Sequence, residues 1–213
     1  MSNKKAREIQ VNSILGIGNS FHLSLLTIHL AVSYLDTVMQ FPSKSEYKLI
    51  ALCCLIVAGL IKIAKYDELD KNIPYLKDFQ KNVNNEFNIK ALKDCENEII
   101  RKLNWNLKRT IPIHFIYFMI SIGFIFKNDK ILNKEITFED LQKIEYNFNN
   151  LINITIKSPE MKKFSPFIIG ISFIAALRAM SCLDLLWCPN LVSIYGLRLN
   201  EFSECLQIFL AFY

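Results

Sequence analysis

The chain has 213 residues, a formal net charge of +5, and 52% apolar residues, 16 of them phenylalanine. That length holds one large domain or two small ones, and the apolar share exceeds the usual range of about 45–50%, so a large dry core is easily supplied. No basic stripe stands out, which argues against a nucleic-acid surface, and the six cysteines (Cys53, Cys54, Cys95, Cys182, Cys188, Cys205) lack zinc-ligand spacing.

Apolar residues recur at spacings of three and four along most of the sequence, and strand signals are nearly absent, so the chain reads as all-α. Helices are predicted near 8–20, 24–40, 46–65, 74–82, 88–104, 111–127, 137–156, 164–181, 189–195 and 199–212. The opening "MSNKKAREIQ" is basic but leads into no apolar signal core. Within the third helix, 49–61 carries no polar side chain and is followed by Lys62 and Lys65. A membrane span needs about twenty such residues, so this run predicts a buried core helix with a charged end. Two other apolar stretches are interrupted: 111–126 by Pro112 and His114, and 164–177 by Pro166. A polytopic membrane protein stays as the minority alternative because mean hydropathy is positive, at +0.22. Breaks fall at Phe41-Pro42-Ser43, Asn72-Ile73-Pro74, Thr110-Ile111-Pro112, Ser158-Pro159 and Cys188-Pro189-Asn190. Ser43 and Ser158 stand beside their prolines as capping residues. Most of the cysteines sit in apolar helical stretches, the pattern of buried thiols in a reducing compartment. His29 and His114 lie in apolar parts of their helices with no partner spacing, so they read as core or half-buried residues and no metal site is expected.

The apolar pattern repeats. "PIHFIYFMISIGF" from Pro112 echoes "TIHLAVSYLDTVM" from Thr27; "FSECLQIFLAFY" from Phe202 matches "LKDCENEIIRKL" from Leu92; "IIGISFIAALRA" from Ile168 matches "LIVAGLIKIAKY" from Leu55. Two helical units are expected, 1–108 and 109–213, joined near Lys108-Arg109-Thr110. The charges do not repeat on this reading: Lys65 falls opposite the Ala176-Leu177 region and Glu96 opposite Leu206. Glu96 lies at the edge of the stripe Leu92, Cys95, Ile99 and Leu103, one turn before Ile100, while Tyr66 and Trp105 follow their helices as aromatics of the type enriched at binding hot spots.

In these residues the sequence resembles the cyclins. Arg7, Phe21 and the stretch Ile28-His29-Leu30-Ala31-Val32-Ser33-Tyr34-Leu35-Asp36 are similar to the opening of a cyclin box. Ile63-Ala64-Lys65-Tyr66-Asp67-Glu68 resembles the end of the family's third helix. Cys95-Glu96-Asn97-Glu98-Ile99-Ile100 with Leu103, Trp105, Leu107 and Pro112 resembles its fifth. Phe164-Ser165-Pro166 and the closing "YGLRLNEFSECLQIFL" resemble the second fold. The resemblance implies two tandem five-helix cyclin folds and a subunit that binds and activates a cyclin-dependent protein kinase as a heterodimer. Lys65 and Glu96 would bind main-chain groups near the start of the kinase's movable C-helix and hold it inward, with Tyr66, Ile100, Trp105 and Lys62 on the same face. Arg7 and Asp36 would form an internal, structural ion pair.

Several features depart from the family pattern. Ala6-Arg7-Glu8-Ile9-Gln10, with Ser13, stands where many cyclins show an apolar patch that docks substrate motifs, so that patch is expected to be absent. Lys62 replaces an aliphatic residue and either snorkels to solvent or adds a charge to the docking face. Six residues precede Arg7, too few for the extra N-terminal helix of many cyclins, and the chain ends at Tyr213, at or before the last helix expected of a second fold. The alternative function is a cyclin-fold scaffold or adaptor in a larger assembly without a kinase; a DNA-gripping initiation factor is a third reading, against which the diffuse charge argues. No nucleophile–base arrangement, metal motif or glycine-rich phosphate loop is present in the sequence, so neither an enzyme nor a cofactor is expected. A cytoplasmic or nuclear protein is expected, with no nucleic acid and no membrane partner and with room for further subunits.

Overall fold

The computed structural model describes residues 3–40, 46–65, 76–82 and 86–212, leaving the side chains of 3, 61–65, 76 and 82 outside the description. The chain divides into two compact units, Met1–Ile111 and Pro112–Tyr213. Among the described residues both are helical, and the extended contacts are isolated bridges from Ile131 to Lys134 and to Leu183.

The first unit is built from α1 (Asn3–Ser20), α2 (Leu25–Val38), α3 (Tyr47–Lys65), α4 (Leu76–Asn82) and α5 (Ile89–Lys102). α3 packs against α1, α2 and α5. Its residues 49–58 are all buried, as a helix apolar on every side must be when it forms the middle of a core. The apolar run singled out in the sequence is therefore a core helix. Among the described residues no helix is long and apolar enough to cross a membrane. Ser24 caps α2 by accepting from the Thr27 N–H at 3.3 Å, and Asn88 caps α5 by accepting from the Ala91 N–H at 2.8 Å. α1 approaches α2 closely at Gly18, where a Cβ would lie 2.7 Å from Ile28 Cγ1. Any larger residue there would require the buried Ile28 side chain to shift.

The second unit contains α6 (Pro112–Ile122), α7 (Phe138–Ile152), the single turn α8 (Ile154–Lys157), α9 (Pro166–Met180), α10 (Pro189–Tyr195) and α11 (Ser203–Leu210). α9 takes the central place, packed by α6, α7 and α11. Ser165 caps it, accepting from the Ile168 N–H at 3.3 Å, and Pro166 occupies its first turn, where no N–H is needed. At Gly170 a Cβ would meet Phe115 Cβ at 2.8 Å, so the approach of α9 to α6 requires glycine. Phe173 anchors the core with edge-on contacts to Phe148 and Phe209, at centroid distances of 5.3 and 5.9 Å.

Several boundaries differ from the periodicity. α6 stops at Ile122 rather than near 127, because Gly123 adopts φ +106° and turns the chain away. The expected helix 137–156 is divided at Asn153 into α7 and α8, and 199–212 begins with a 3-10 turn, Leu199–Glu201, before α11. Ser158 does not cap: its hydroxyl bonds the Glu160 carboxylate at 2.8 Å. Ser43 lies outside the described residues. α3 and α9 hold equivalent places, as do α5 and α11, in accord with two of the three sequence echoes. The third pairs α6 with α2, although α6 is the first helix of its unit; that echo reflects shared apolar spacing alone. The reading that only one unit carries the charge at the end of its central helix is also corrected. Continued residue by residue from Leu55 and Ile168, the register sets Arg178 against Lys65.

Arg178 is fully buried, and all five of its N–H donors are used. Nη1 donates to Asp129 Oδ2 at 2.7 Å and to the Phe124 carbonyl; Nη2 donates to Asp129 Oδ1 at 2.8 Å and to the Leu185 carbonyl at 2.7 Å; Nε also donates to Leu185, at 2.9 Å. One side chain thus gathers the loops after α6 and after α9 onto the end of the central helix. Burial alone would push the Asp129 carboxyl up. The Arg178 hydrogen bonds, the Phe126 N–H and the guanidinium charge outweigh it and hold the group below the usual carboxylate range.

Candidate interaction site on the first unit

α5 is strongly two-faced. Leu92, Cys95, Ile99 and Leu103 are buried, one turn apart in succession, while Lys93, Asp94, Asn97 and Arg101 are exposed. Glu96 and Ile100 lie between these faces, half-buried, and four residues apart they are neighbours on the helix surface. Glu96 has no hydrogen bond or ion pair among the described residues. Burial pushes its carboxyl above the usual carboxylate range, and Lys93, one turn back, acts against that. Its neighbour Glu98 instead holds Lys102 at 2.6 Å. A partly desolvated carboxylate with no hydrogen bond or ion pair among the described residues is suited to accept donors from another chain.

The way α5 ends brings a third residue to this strip. Asn104 takes the left-handed conformation, φ +50°, and its N–H bonds the Arg101 carbonyl at 2.9 Å, while the Trp105 N–H bonds the Ile100 carbonyl at 3.1 Å. These two bonds make a Schellman cap, which turns the residue after the cap back toward the last turn of the helix, here Trp105 toward Ile100. Trp105 is itself at φ +58° and its side chain is 73% exposed. Asparagine just beyond the last periodic residue is a known helix-stop signal, although the periodicity alone carries this helix through 104.

Lys62 and Lys65 belong to the last turn of α3, the helix that packs against α5; their side chains, and all of Tyr66, lie outside the described residues. Arg7 reaches from α1 to Asp36 on α2 through two bonds, Nε to Oδ1 at 2.7 Å and Nη2 to Oδ2 at 3.0 Å. This forked pair ties two helices of the unit together. His29 is buried, and burial holds its pKa down to about 3, so it is a neutral core residue; His114 is exposed. Among the described residues no group of three or more His, Cys, Asp or Glu could hold a metal ion. Five cysteines are buried and Cys182 is exposed. Gln10, fully buried, donates to the Tyr47 carbonyl at 3.1 Å, so it serves the contact of α1 with the start of α3 and leaves no large apolar side chain there.

Residues 1–108 match the family described as "Cyclin, N-terminal domain". The chain belongs to the cyclin family. It is 28% identical over 116 residues to a G2/mitotic-specific cyclin-B2 of Anguilla japonica, covering 54% of this chain and 28% of that protein. It is 22% identical over 205 residues to cyclin-B1-3 of Oryza sativa subsp. japonica, covering 95% of this chain and 39% of that one. It therefore spans well under half the length of these curated relatives. Among solved structures it is similar to a viral cyclin from herpesvirus saimiri, with a TM-score of 0.72 at 15% identity, covering 98% of this chain and 84% of the other. It is also similar to a chain of the CAK complex of Chaetomium thermophilum bound to ATP-γ-S, with a TM-score of 0.67 at 11% identity over 96% and 61%. The fold is accordingly two tandem cyclin folds, the second running through α6 to α11.

Sequence reasoning missed two further residues beside the strip. Tyr34, buried on α2, donates its hydroxyl to the Leu107 carbonyl at 2.6 Å; burial pushes the phenol up to about 12, so it remains a donor at neutral pH. Arg109 lies over the Tyr34 ring, 5.6 Å from its centroid. Tyr34 stood within the cyclin-box motif and Arg109 within the expected linker, but nothing in their spacing announced that they meet.

Proposed function

We propose that this cyclin binds and activates a cyclin-dependent protein kinase, using Glu96 and Ile100 on α5, Trp105 just after it, Lys62 and Lys65 in the last turn of α3, and Tyr66, the next residue in the sequence. The observation that carries the reading is Glu96, a half-buried carboxylate with no hydrogen bond or ion pair among the described residues, on a helix whose end is closed by the N–H of an exposed tryptophan. A helix start in a partner presents unpaired N–H groups, which such a carboxylate can accept, while Ile100 and Trp105 supply apolar contact. Held in this way, the kinase's movable C-helix keeps its glutamate paired with the ATP-binding lysine. The cyclin would perform no chemistry; it would select the active arrangement of a bistable partner.

The test is affinity purification of the tagged wild-type chain beside a Lys65→Glu/Glu96→Lys double variant, with identification of the proteins that come with each. A kinase recovered with wild type alone supports the proposal. The same partners recovered with the wild type and the double variant would reject it in favour of the scaffold reading.

A further inference from the structure

The stretch 103–109 after α5 is pinned on both sides of Trp105. Before it stands the Schellman cap, with bonds from Asn104 to Arg101 and from Trp105 to Ile100. After it, Arg109 Nη1 donates to the Ser33 carbonyl at 3.2 Å and to Thr37 Oγ1, its Nε donates to the Asn106 carbonyl at 3.4 Å, and its guanidinium covers the Tyr34 ring. The Tyr34 hydroxyl adds its bond to Leu107. Arg109 thus joins α2 to the residue directly after Trp105. Between the two fixings, two consecutive non-glycine residues hold positive φ, a conformation that persists where the surroundings enforce it.

We propose that Arg109 is a positioning residue for Trp105: its clasp on α2 fixes the backbone that carries the exposed indole, so that a partner meets a pre-set anchor instead of ordering one on binding. The inference rests on the reading of this strip as the partner-binding surface, but its first test does not need a partner. Lysine could not replace the arginine, because one ammonium lacks the planar fork that reaches Ser33, Thr37 and Asn106 while lying on Tyr34.

In a Trp187→Phe background Trp105 is the sole tryptophan, and time-resolved fluorescence anisotropy reads its motion directly. Arg109→Ala and Arg109→Lys are expected to enlarge the fast component of depolarisation; an unchanged decay in both would overturn the proposal. Should Arg109→Ala fail to fold, Thr37→Val removes one acceptor of the same guanidinium and is expected to move the decay in the same direction by less, while Thr37→Ser leaves it as in wild type. The second test is a double-mutant cycle on affinity for the kinase that co-purifies with the wild-type chain. Arg109→Ala is expected to weaken binding roughly tenfold when Trp105 is present and less than about twofold in Trp105→Ala, the coupling typical of residues acting together. Equal losses in both backgrounds would overturn the positioning role. A wild-type chain that binds no kinase would reject the proposed function, and the anisotropy result would then decide the role of Arg109 alone.

Discussion

Among the described residues, each unit of the molecule holds an arginine–aspartate pair largely out of water, and the two are used differently. Arg7 and Asp36 join two helices, α1 and α2, and Asp36 keeps a fifth of its side-chain surface exposed, at 20%. Arg178 and Asp129 lie deeper, at 0% and 8%, and join a helix to loops, with the Phe124 and Leu185 carbonyls drawn into the same cluster. Helix-on-helix contact can be maintained by apolar packing, so the first pair adds to an interface that already exists. The loops around Arg178 carry polar backbone into the interior, and the Phe124 and Leu185 carbonyls there are bonded by that one side chain.

The sharpest way to break the comparison is Arg178→Ala. It leaves the buried Asp129 carboxylate without its countercharge and with the Phe126 N–H as its remaining named donor, strips the Phe124 and Leu185 carbonyls of the guanidinium, and should cost about 3–5 kcal/mol, measured by chemical denaturation. Arg7→Ala should cost less, about 3 kcal/mol or below, because Asp36 can recover part of its hydration. Equal losses would mean that depth of burial does not separate the two pairs. A pH series on Asp129→Asn sharpens the point further. The folded-state pKa of Asp129 is depressed, so the stability it contributes is fully present above its ordinary value of 3.8 and is lost as pH falls through the lower, folded value. The stability difference between wild type and Asp129→Asn should therefore hold constant from neutral pH to about pH 5 and shrink below about pH 4. A difference that does not change with pH would remove the Arg178–Asp129 charge from the account. The smallest effect is expected at Trp105→Ala: an exposed residue outside the core should change stability by less than about 0.5 kcal/mol, whatever it does to partner binding.

The helices and most of their breaks were legible in the sequence because burial imposes a spacing of three and four, and a central helix such as α3 shows itself by having no polar side at all. Gly123 was passed over because a single glycine in an apolar run does not announce a positive φ. The strip on α5 was legible residue by residue: Glu96 at the edge of a stripe, Ile100 one turn on, Trp105 beyond the end. What brings Trp105 back to Ile100 is a backbone turn at Asn104, for which the sequence offers only the asparagine itself. Arg178 escaped notice for a different reason. Its aspartate lies 49 residues away, and neither residue carries any mark of that pairing until the loops are folded.

The C-terminal half of α2 is gripped from both ends of the first unit: Arg7, near the start of the chain, holds Asp36, and Arg109, two residues before Ile111, holds Ser33 and Thr37. The first unit is stitched shut at its two ends onto a single seam. An excised fragment that finishes at Lys108, where the family match ends, would carry every helix of the unit yet lack the last stitch, whereas three more residues would include it.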